Sequence, residues 1–347
     1  MESLPKVERG LGTCRVAVPF RLFRCARTSH YDGGRTDPAR AEAALSDHPD
    51  TSEARHTGAT LRDWVGRWAS EKPDHPALLS PSRTVTYAEL DARAQRLAAG
   101  LRAAGLKRGQ RIAAQLPNSP EFVTTYLAAG YAGCVFQTLH MPYRAAEIVP
   151  LLAHAKSAAF FALSCAKDFE PAAFALGARA HLPDLELVVA VGDPTPEGAV
   201  AYDDLAAAEG ADDFRPAPSD PYVLLYTSGT TSAPKGVMVA YENFLPNAAR
   251  SAPELGVDGS SVLLAAAPFT HLYGIFSINL ALAAGATIAL LPVYSPPALA
   301  EALATYRPTH LFSAPAHMVA AEANGLLTPD LLASLELLQI SGNACPP

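Results

Sequence analysis

From residue 59 onward, apolar and polar positions along the chain follow two different periods. Stretches with apolar residues three and four positions apart, such as YAELDARAQRLAAGLRAAG at 87–105 and SPEFVTTYLAAGYAG at 119–133, predict helices. Short apolar runs rich in strand-forming residues, such as LELVVAVG at 185–192 and PYVLLYT at 221–227, predict strands. Because strands and helices alternate, the sequence predicts an α/β fold with largely parallel sheets.

The stretch at 259–300 contains no Asp, Glu, Lys or Arg, which is also typical of a membrane-spanning segment. Helix-breaking and polar residues interrupt it at Pro268, Gly274, Asn279, Gly285 and Pro292. The pattern therefore favours a buried helix over 272–284, a turn at Gly285 and a buried strand ATIALL. We predict no membrane span.

The first 58 residues differ in composition from the rest of the chain. The first 40 carry eight Lys and Arg against four Asp and Glu, and they show no sustained apolar period. Its arginines are typical of transit peptides, but acidic residues appear early, and the segment also lacks the long apolar stretch of a secretory signal. We predict that residues 1–58 form a disordered extension, or that they lie upstream of the translation start that is used. Residues 59–347 then form one partial domain, with a Pro/Asp/Ala-rich connector near 193–220.

Composition and charge narrow the class of protein. A chain of 347 residues with 49% hydrophobic content can bury a full core, and its net charge of −7 makes nucleic acid an unsuitable partner. The five cysteines are scattered without a CxxC pair, so we expect reduced thiols in a cytoplasmic protein. The ten histidines show no metal-binding spacing, and we predict no metal ligand among them.

The stretch YTSGTTSAPKG at 226–236 carries the strongest candidate chemistry. Its hydroxyl side chains and glycine backbone N–H groups can donate hydrogen bonds to phosphate oxygens, and Lys235 adds a cation. The hydroxyl donors are Thr227, Ser228, Thr230, Thr231 and Ser232, and Gly229 lies among them. Composition alone would also fit a flexible Ser/Thr linker. The flanking strand patterns favour a phosphate-binding loop between two strands instead.

This loop is not a P-loop of the Walker A type, because Lys235 is followed by Gly236 and a strand rather than by a helix. YTSGTTSAPKGVMVAYENF closely resembles the phosphate-loop signature of the adenylate-forming superfamily, which includes acyl-CoA synthetases. Further similar elements follow in the family's order, namely TVTYAEL at 84–90, LAAGYAGCVFQTLHMPYRAAEI at 127–148, PFTHLYG at 268–274 and LQISGNACPP at 338–347. The resemblance covers 59–347, the large N-terminal domain, and stops before the small C-terminal domain.

The resemblance implies that the complete enzyme activates a carboxylic acid with Mg²⁺ and ATP and passes the acyl group to the thiol of CoA or of a carrier protein. Residues 227–232 and Lys235 would bind the phosphates, and Gly342, Asn343 and Ala344 would line the adenine. Lys235 and His271 are the candidate catalytic residues, with His271 orienting the carboxylate or gating the acyl pocket. The Mg²⁺ ligands, the ribose-binding aspartate and the catalytic lysine are expected beyond Pro347.

Several departures from the family pattern leave alternatives open. Ser232 stands where the family has glycine, and Asn343 and Cys345 replace the glycine and proline of the terminal turn. We therefore also consider a degenerate, non-catalytic protein that binds a nucleotide or an acyl group, and a carrier-protein-directed adenylation module. No acidic residue occurs in PFTHLYGIFSINL at 268–280, so we expect a substrate other than an amino acid. This chain alone is expected to be inactive or very weak.

Overall fold

A computed structural model describes residues 59–210, 213–227 and 235–341. The predicted N-terminal extension, residues 228–232 of the candidate phosphate loop and the candidate adenine residues 342–344 lie outside these described residues. Within them, strands and helices alternate along the chain, and the predicted α/β class is confirmed.

The helices, numbered in chain order, are α1 Leu61–Glu71, α2 Tyr87–Ala103, α3 Pro120–Tyr131, α4 Ala145–Ala155, α5 Pro171–Gly177, α6 Tyr202–Ala206, α7 Tyr241–Glu254, α8 Leu272–Ala284, α9 Pro296–Tyr306, α10 Pro315–Ala323 and α11 Pro329–Leu332. The strands are β1 Pro76–Leu79, β2 Thr84–Thr86, β3 Arg111–Gln115, β4 Val135–Thr138, β5 Ser157–Leu163, β6 Leu187–Val191, β7 Val200–Ala201, β8 Pro221–Thr227, β9 Lys235–Ala240, β10 Val262–Ala265, β11 Thr287–Leu290, β12 His310–Ser313 and β13 Leu337–Ile340.

The described strands form two sheets. One has the order β13-β12-β10-β11-β1-β2, and we call it sheet A; the other has the order β7-β6-β5-β3-β4-β8-β9, and we call it sheet B. Their pairings are parallel except at one edge of each sheet, where β1 pairs with β2 and β8 pairs with β9 antiparallel. The candidate phosphate loop therefore connects the two strands of an antiparallel hairpin at the edge of sheet B.

Helices fill the space between the sheets and cover their outer faces. The largest apolar cluster joins α2, α3, α7 and α8 with inward-facing residues of both sheets. A second cluster packs α4 and α5 on the other face of sheet B, and a third packs α9 and α10 on the other face of sheet A. Burying both faces explains why these parallel strands read as short, continuous apolar runs.

Local signals account for several helix ends. Ser119 caps α3 by accepting a hydrogen bond from the Phe122 N–H at 3.2 Å, and Pro120 is the first helical residue, as the sequence predicted. Thr86 and Glu89 form a capping box at the start of α2, and α2 ends just before Gly105, which has φ +94°.

The uncharged stretch forms a buried helix, a turn and a buried strand, as predicted. Helix α8 has 13 residues and ends at Ala284; its C-cap residue Gly285 has a φ of +68°, in the left-handed region, and β11 follows. A Cβ on Gly285 would lie 2.7 Å from the Trp68 ring, so close packing also requires glycine there. No helix in the described part of the chain combines the length and the apolar character needed to cross a bilayer.

Candidate active site

The candidate site lies where parallel strands of both sheets end. Strands β3 and β4 of sheet B are followed by the segments 116–118 and 139–143, and β10 of sheet A is followed by 266–271. In parallel α/β sheets, the segments after the carboxyl ends of strands commonly form the ligand site. Here, side chains from sheet B hold the segment that carries His271.

Asn118 connects the two sheets. Its side chain is 5% exposed, its amide nitrogen donates to the Ala267 carbonyl at 3.1 Å, and its amide oxygen accepts from the Phe269 N–H at 2.7 Å. These bonds satisfy two backbone groups of the 266–271 segment, which a buried loop must pair. Asn118 therefore fixes the backbone just before His271.

Gly274 lets helix α8 start directly against this segment. A Cβ on Gly274 would lie 2.1 Å from the Pro268 carbonyl oxygen and 2.6 Å from the Phe269 Cα. Real Cβ atoms do not approach backbone atoms so closely, and glycine is required by the contact. The spacing from Pro268 to Gly274 in PFTHLYG thus has a packing reason: it brings the first turn of α8 onto the preceding loop.

His271 is the N-cap residue of α8, and its ring is stacked on the ring of His140, which follows β4. The ring centroids are 4.0 Å apart and the planes differ by 26°. The Nδ1 atom of His140 is hydrogen-bonded to Thr270 Oγ1 at 2.8 Å, and Thr270 is only 3% exposed. Two contacts from neighbouring residues of one loop therefore hold the His140 ring.

The environment keeps both imidazoles neutral at pH 7. Burial, and to a smaller extent the charge of His271, lowers the pKa of His140 to about 4. Burial of the face that lies against its neighbours lowers the pKa of His271, although this residue remains exposed on its other side. Two positive charges only 4.0 Å apart would also repel. A neutral imidazole can orient a bound carboxyl group by a hydrogen bond without adding a positive charge.

The turn that carries His140 is itself held by Gln115, the last residue of β3. The Gln115 amide nitrogen donates to the carbonyl oxygens of His140 at 2.9 Å and Tyr143 at 3.1 Å. The Tyr143 ring meets the His140 ring edge-on, with centroids 4.9 Å apart. Both the backbone and the ring of His140 are thus fixed.

Aromatic side chains line the inner side of α8 near its start. The Tyr273 hydroxyl donates to the Gln339 carbonyl at 3.0 Å, and the Tyr273 ring meets the Phe312 ring edge-on at 6.0 Å. These contacts place the start of α8 beside the end of β13. The candidate adenine residues Gly342, Asn343 and Ala344 follow this strand but lie outside the described residues.

The two ends of the candidate phosphate loop form one cross-strand residue pair of the hairpin. Thr227, the last residue of β8, is paired with Lys235, the first residue of β9. Lys235 is exposed, and residues 228–234 between them lie outside the described residues. Gly236 lies in the strand rather than in the loop, where a Cβ would meet Leu224 Cδ1 at 2.9 Å. Since β8 is parallel to its neighbour β4, the loop leaves sheet B at the same edge as His140.

The structure thus brings His271 together with residues that the sequence did not indicate as site residues. His140, Thr270, Asn118 and Gln115 hold it, and each lies at or just beyond the end of a strand. A polar residue just after a short apolar run, such as His140 after the run that contains Val135 and Phe136, is the signal that could have found them. The assigned roles of Lys235 and the loop hydroxyls stay predictions.

Residues 65–347 match the family model described as AMP-binding enzyme. The chain is 32% identical over 288 residues to a feruloyl-CoA synthase from Amycolatopsis sp, a match that covers 82% of this chain and 55% of the relative. It is 31% identical over 247 residues to 4-coumarate-CoA ligase 1 from Narcissus pseudonarcissus, covering 68% of this chain and 44% of the relative. The chain therefore spans about half the length of these curated relatives.

The fold is also similar to solved structures. ATP-bound MatB from Rhodopseudomonas palustris superposes with a TM-score of 0.68 at 28% identity, covering 80% of this chain and 54% of that chain. The chain belongs to the AMP-binding enzyme family.

Proposed function

We propose that this chain is the ATP-binding and acid-binding part of an acid–CoA ligase. In the complete reaction, a carboxylate oxygen of the acid attacks the α-phosphorus of ATP, and the bond to the β-phosphate oxygen breaks. The products are an acyl-adenylate and pyrophosphate. A CoA thiol then attacks the acyl carbon, forming the thioester and releasing AMP and the thiol proton.

The loop between β8 and β9 is the observation that carries the proposal. Its hydroxyls and glycine, with an exposed Lys235 cation on the rung that closes it, provide the donors that phosphate oxygens need. Such donors hold the phosphates in line and stabilise the charge that develops on pyrophosphate. Mg²⁺ would enter bound to the phosphates of ATP and lower their charge. The ATP-bound state of the MatB neighbour supports this assignment.

The acid is proposed to bind beside His271, in front of the first turns of α8. The partly exposed Tyr273 ring, supported from behind by the buried Phe312 ring, supplies an aromatic surface for an aryl or long acyl group. The names of the feruloyl and coumarate relatives support an aryl acid. Residues 268–280 offer no carboxylate for a substrate ammonium group, so an amino acid would leave that charge unpaired.

The thiol acceptor is proposed to be CoA, as the names of both relatives indicate. The family resemblance places the catalytic lysine of the small C-terminal domain and the Mg²⁺-binding glutamate in sequence beyond Pro347. We therefore expect the 347-residue chain to bind ATP but to form acyl-adenylate slowly and no thioester. Incubation with Mg·ATP, CoA and a panel of aryl and fatty acids, followed by mass spectrometry, tests this. Turnover near one per second would contradict it.

Calorimetric titration with ATP tests the loop assignment. Lys235→Ala removes a cation that donates charge-assisted hydrogen bonds, and we expect affinity to fall by about 10- to 100-fold. Lys107→Ala is the matched control, because Lys107 is an exposed lysine that precedes β3 and so lies at the opposite edge of sheet B. Equal ATP affinity in the Lys235→Ala variant and the parent, or no ATP binding by the parent at millimolar concentration, would refute the proposal.

A further inference from the structure

The His140 ring, which lies just beyond the carboxyl end of β4, is held by contacts with three other side chains. It is stacked on His271, bonded to Thr270 through Nδ1 and met edge-on by Tyr143. Its backbone carbonyl accepts a hydrogen bond from Gln115. Such a fixed ring defines a surface against which the neighbouring His271 ring must lie.

By contrast, His271 has few constraints of its own. It is exposed on one side, and its side chain makes no capping hydrogen bond to the start of α8. An exposed side chain without such constraints samples several rotamers. Among the residues that the structure describes, the stack on His140 is thus the contact that selects one orientation of the His271 ring.

We propose that His140 is a positioning residue that sets the ring orientation of His271 at the acid site. His140 acts through His271 and does not itself contact the acid. The role toward the acid rests on the proposed function, whereas the effect on the His271 ring does not. Because the ring of His271 is pre-oriented, binding the acid need not order it.

The pH behaviour of the pair supplies a readout that packing alone would not give. The groups that face His140 are the His271 imidazole and Thr270 hydroxyl from the loop before α8, and the Tyr143 phenol from its own turn. Among them, His271 is the imidazole, and burial lowers its pKa below the ordinary 6.5. If His140 shields one face of His271, removing the His140 ring should raise the pKa of His271 toward 6.5.

The test is NMR of the 347-residue chain with ring-labelled histidine, with the His271 signal assigned from His271→Gln. In His140→Ala we expect the pKa of His271 to rise and its ring-current shift to disappear. In His140→Phe the stacked ring remains, so both properties should stay close to those of the parent. Thr270→Val should weaken the His140–His271 cross-relaxation, and Thr270→Ser, which keeps the hydroxyl, should restore it.

Binding measurements on the same variants separate this inference from the proposed function. His140→Ala should weaken binding of an aryl acid by about tenfold and leave ATP affinity unchanged. Indistinguishable His271 signals in His140→Ala and His140→Phe would overturn the positioning role. If the His271 signals respond as expected but acid affinity does not change, His140 still positions His271, and the placement of His271 in the acid site is wrong.

Discussion

A methyl group added at Gly274 probes how tightly α8 is seated on the loop that carries His271. The Cβ of Gly274→Ala would lie 2.1 Å from the Pro268 carbonyl oxygen, so helix and loop must separate by more than 1 Å to reach van der Waals contact. The loop cannot move freely, because Asn118 bonds the Phe269 N–H. Overpacking against fixed backbone costs about 3 kcal/mol, which exceeds the helix-propensity gain of alanine, at most about 1 kcal/mol.

Gly66→Ala is the matched control, because Gly66 also lies inside a helix, α1, and a Cβ there meets no atom within 4 Å. This variant should gain about 0.5 to 1 kcal/mol from helix propensity. Urea unfolding monitored by circular dichroism should give a lower midpoint for Gly274→Ala and a slightly higher midpoint for Gly66→Ala. If Gly274→Ala is as stable as Gly66→Ala, the seating of α8 inferred from this contact is wrong.

Three further outcomes are expected. Asn118→Ala should lower the free energy of unfolding, measured in urea, by about 2 to 4 kcal/mol, because it leaves buried backbone groups at Ala267 and Phe269 unpaired. Unchanged stability would show that water or other groups replace the amide. Because the pKa of His140 in the folded chain is about 4, below its ordinary 6.5, its contribution to stability is complete above pH 6.5 and is lost as pH falls toward 4. Because His140 is partly exposed, the free energy of unfolding should fall by only about 1 to 2 kcal/mol over this pH range. In His140→Phe, this part of the plot of unfolding free energy against pH should be flatter. Ser232→Gly should leave ATP affinity equal or higher in calorimetry, because glycine accepts a positive φ without strain, and a clear loss would assign the hydroxyl a ligand role.

Local patterns were sufficient to predict most of the elements. The turn at Gly285 between a buried helix and a buried strand could be read from the sequence, because glycine and the uncharged apolar runs on either side act locally. The antiparallel pairings at the sheet edges could not be read in the same way. Whether β2 pairs with β1 depends on partners and connections that a single run of residues does not encode.

The candidate site shows more clearly the difference between features that neighbouring residues determine and features that depend on distant partners. The candidate phosphate loop could be proposed from its composition, since hydroxyls, glycines and a lysine lie next to each other in the sequence. The pair of His140 and His271 could not, because His140 and its hydrogen-bond partner Thr270 are 130 residues apart and belong to different sheets. His140 follows β4 of sheet B and Thr270 follows β10 of sheet A, and only the packing of the two sheets shows that these strand ends meet.

The two parts of the candidate site are held by different contacts, and this difference has a functional consequence. At the proposed acid site, Asn118, Gln115 and Thr270 fix the backbone and rings around His271 through bonds that cross from sheet to sheet or turn to turn. On the nucleotide side, the described contacts are the rungs of the β8–β9 hairpin, which fix the two ends of the loop. These sets share no residue, so substitutions in the turn after β4 should change acid affinity more than ATP affinity. Substitutions on the hairpin should do the reverse, which makes the two binding steps separable by mutation.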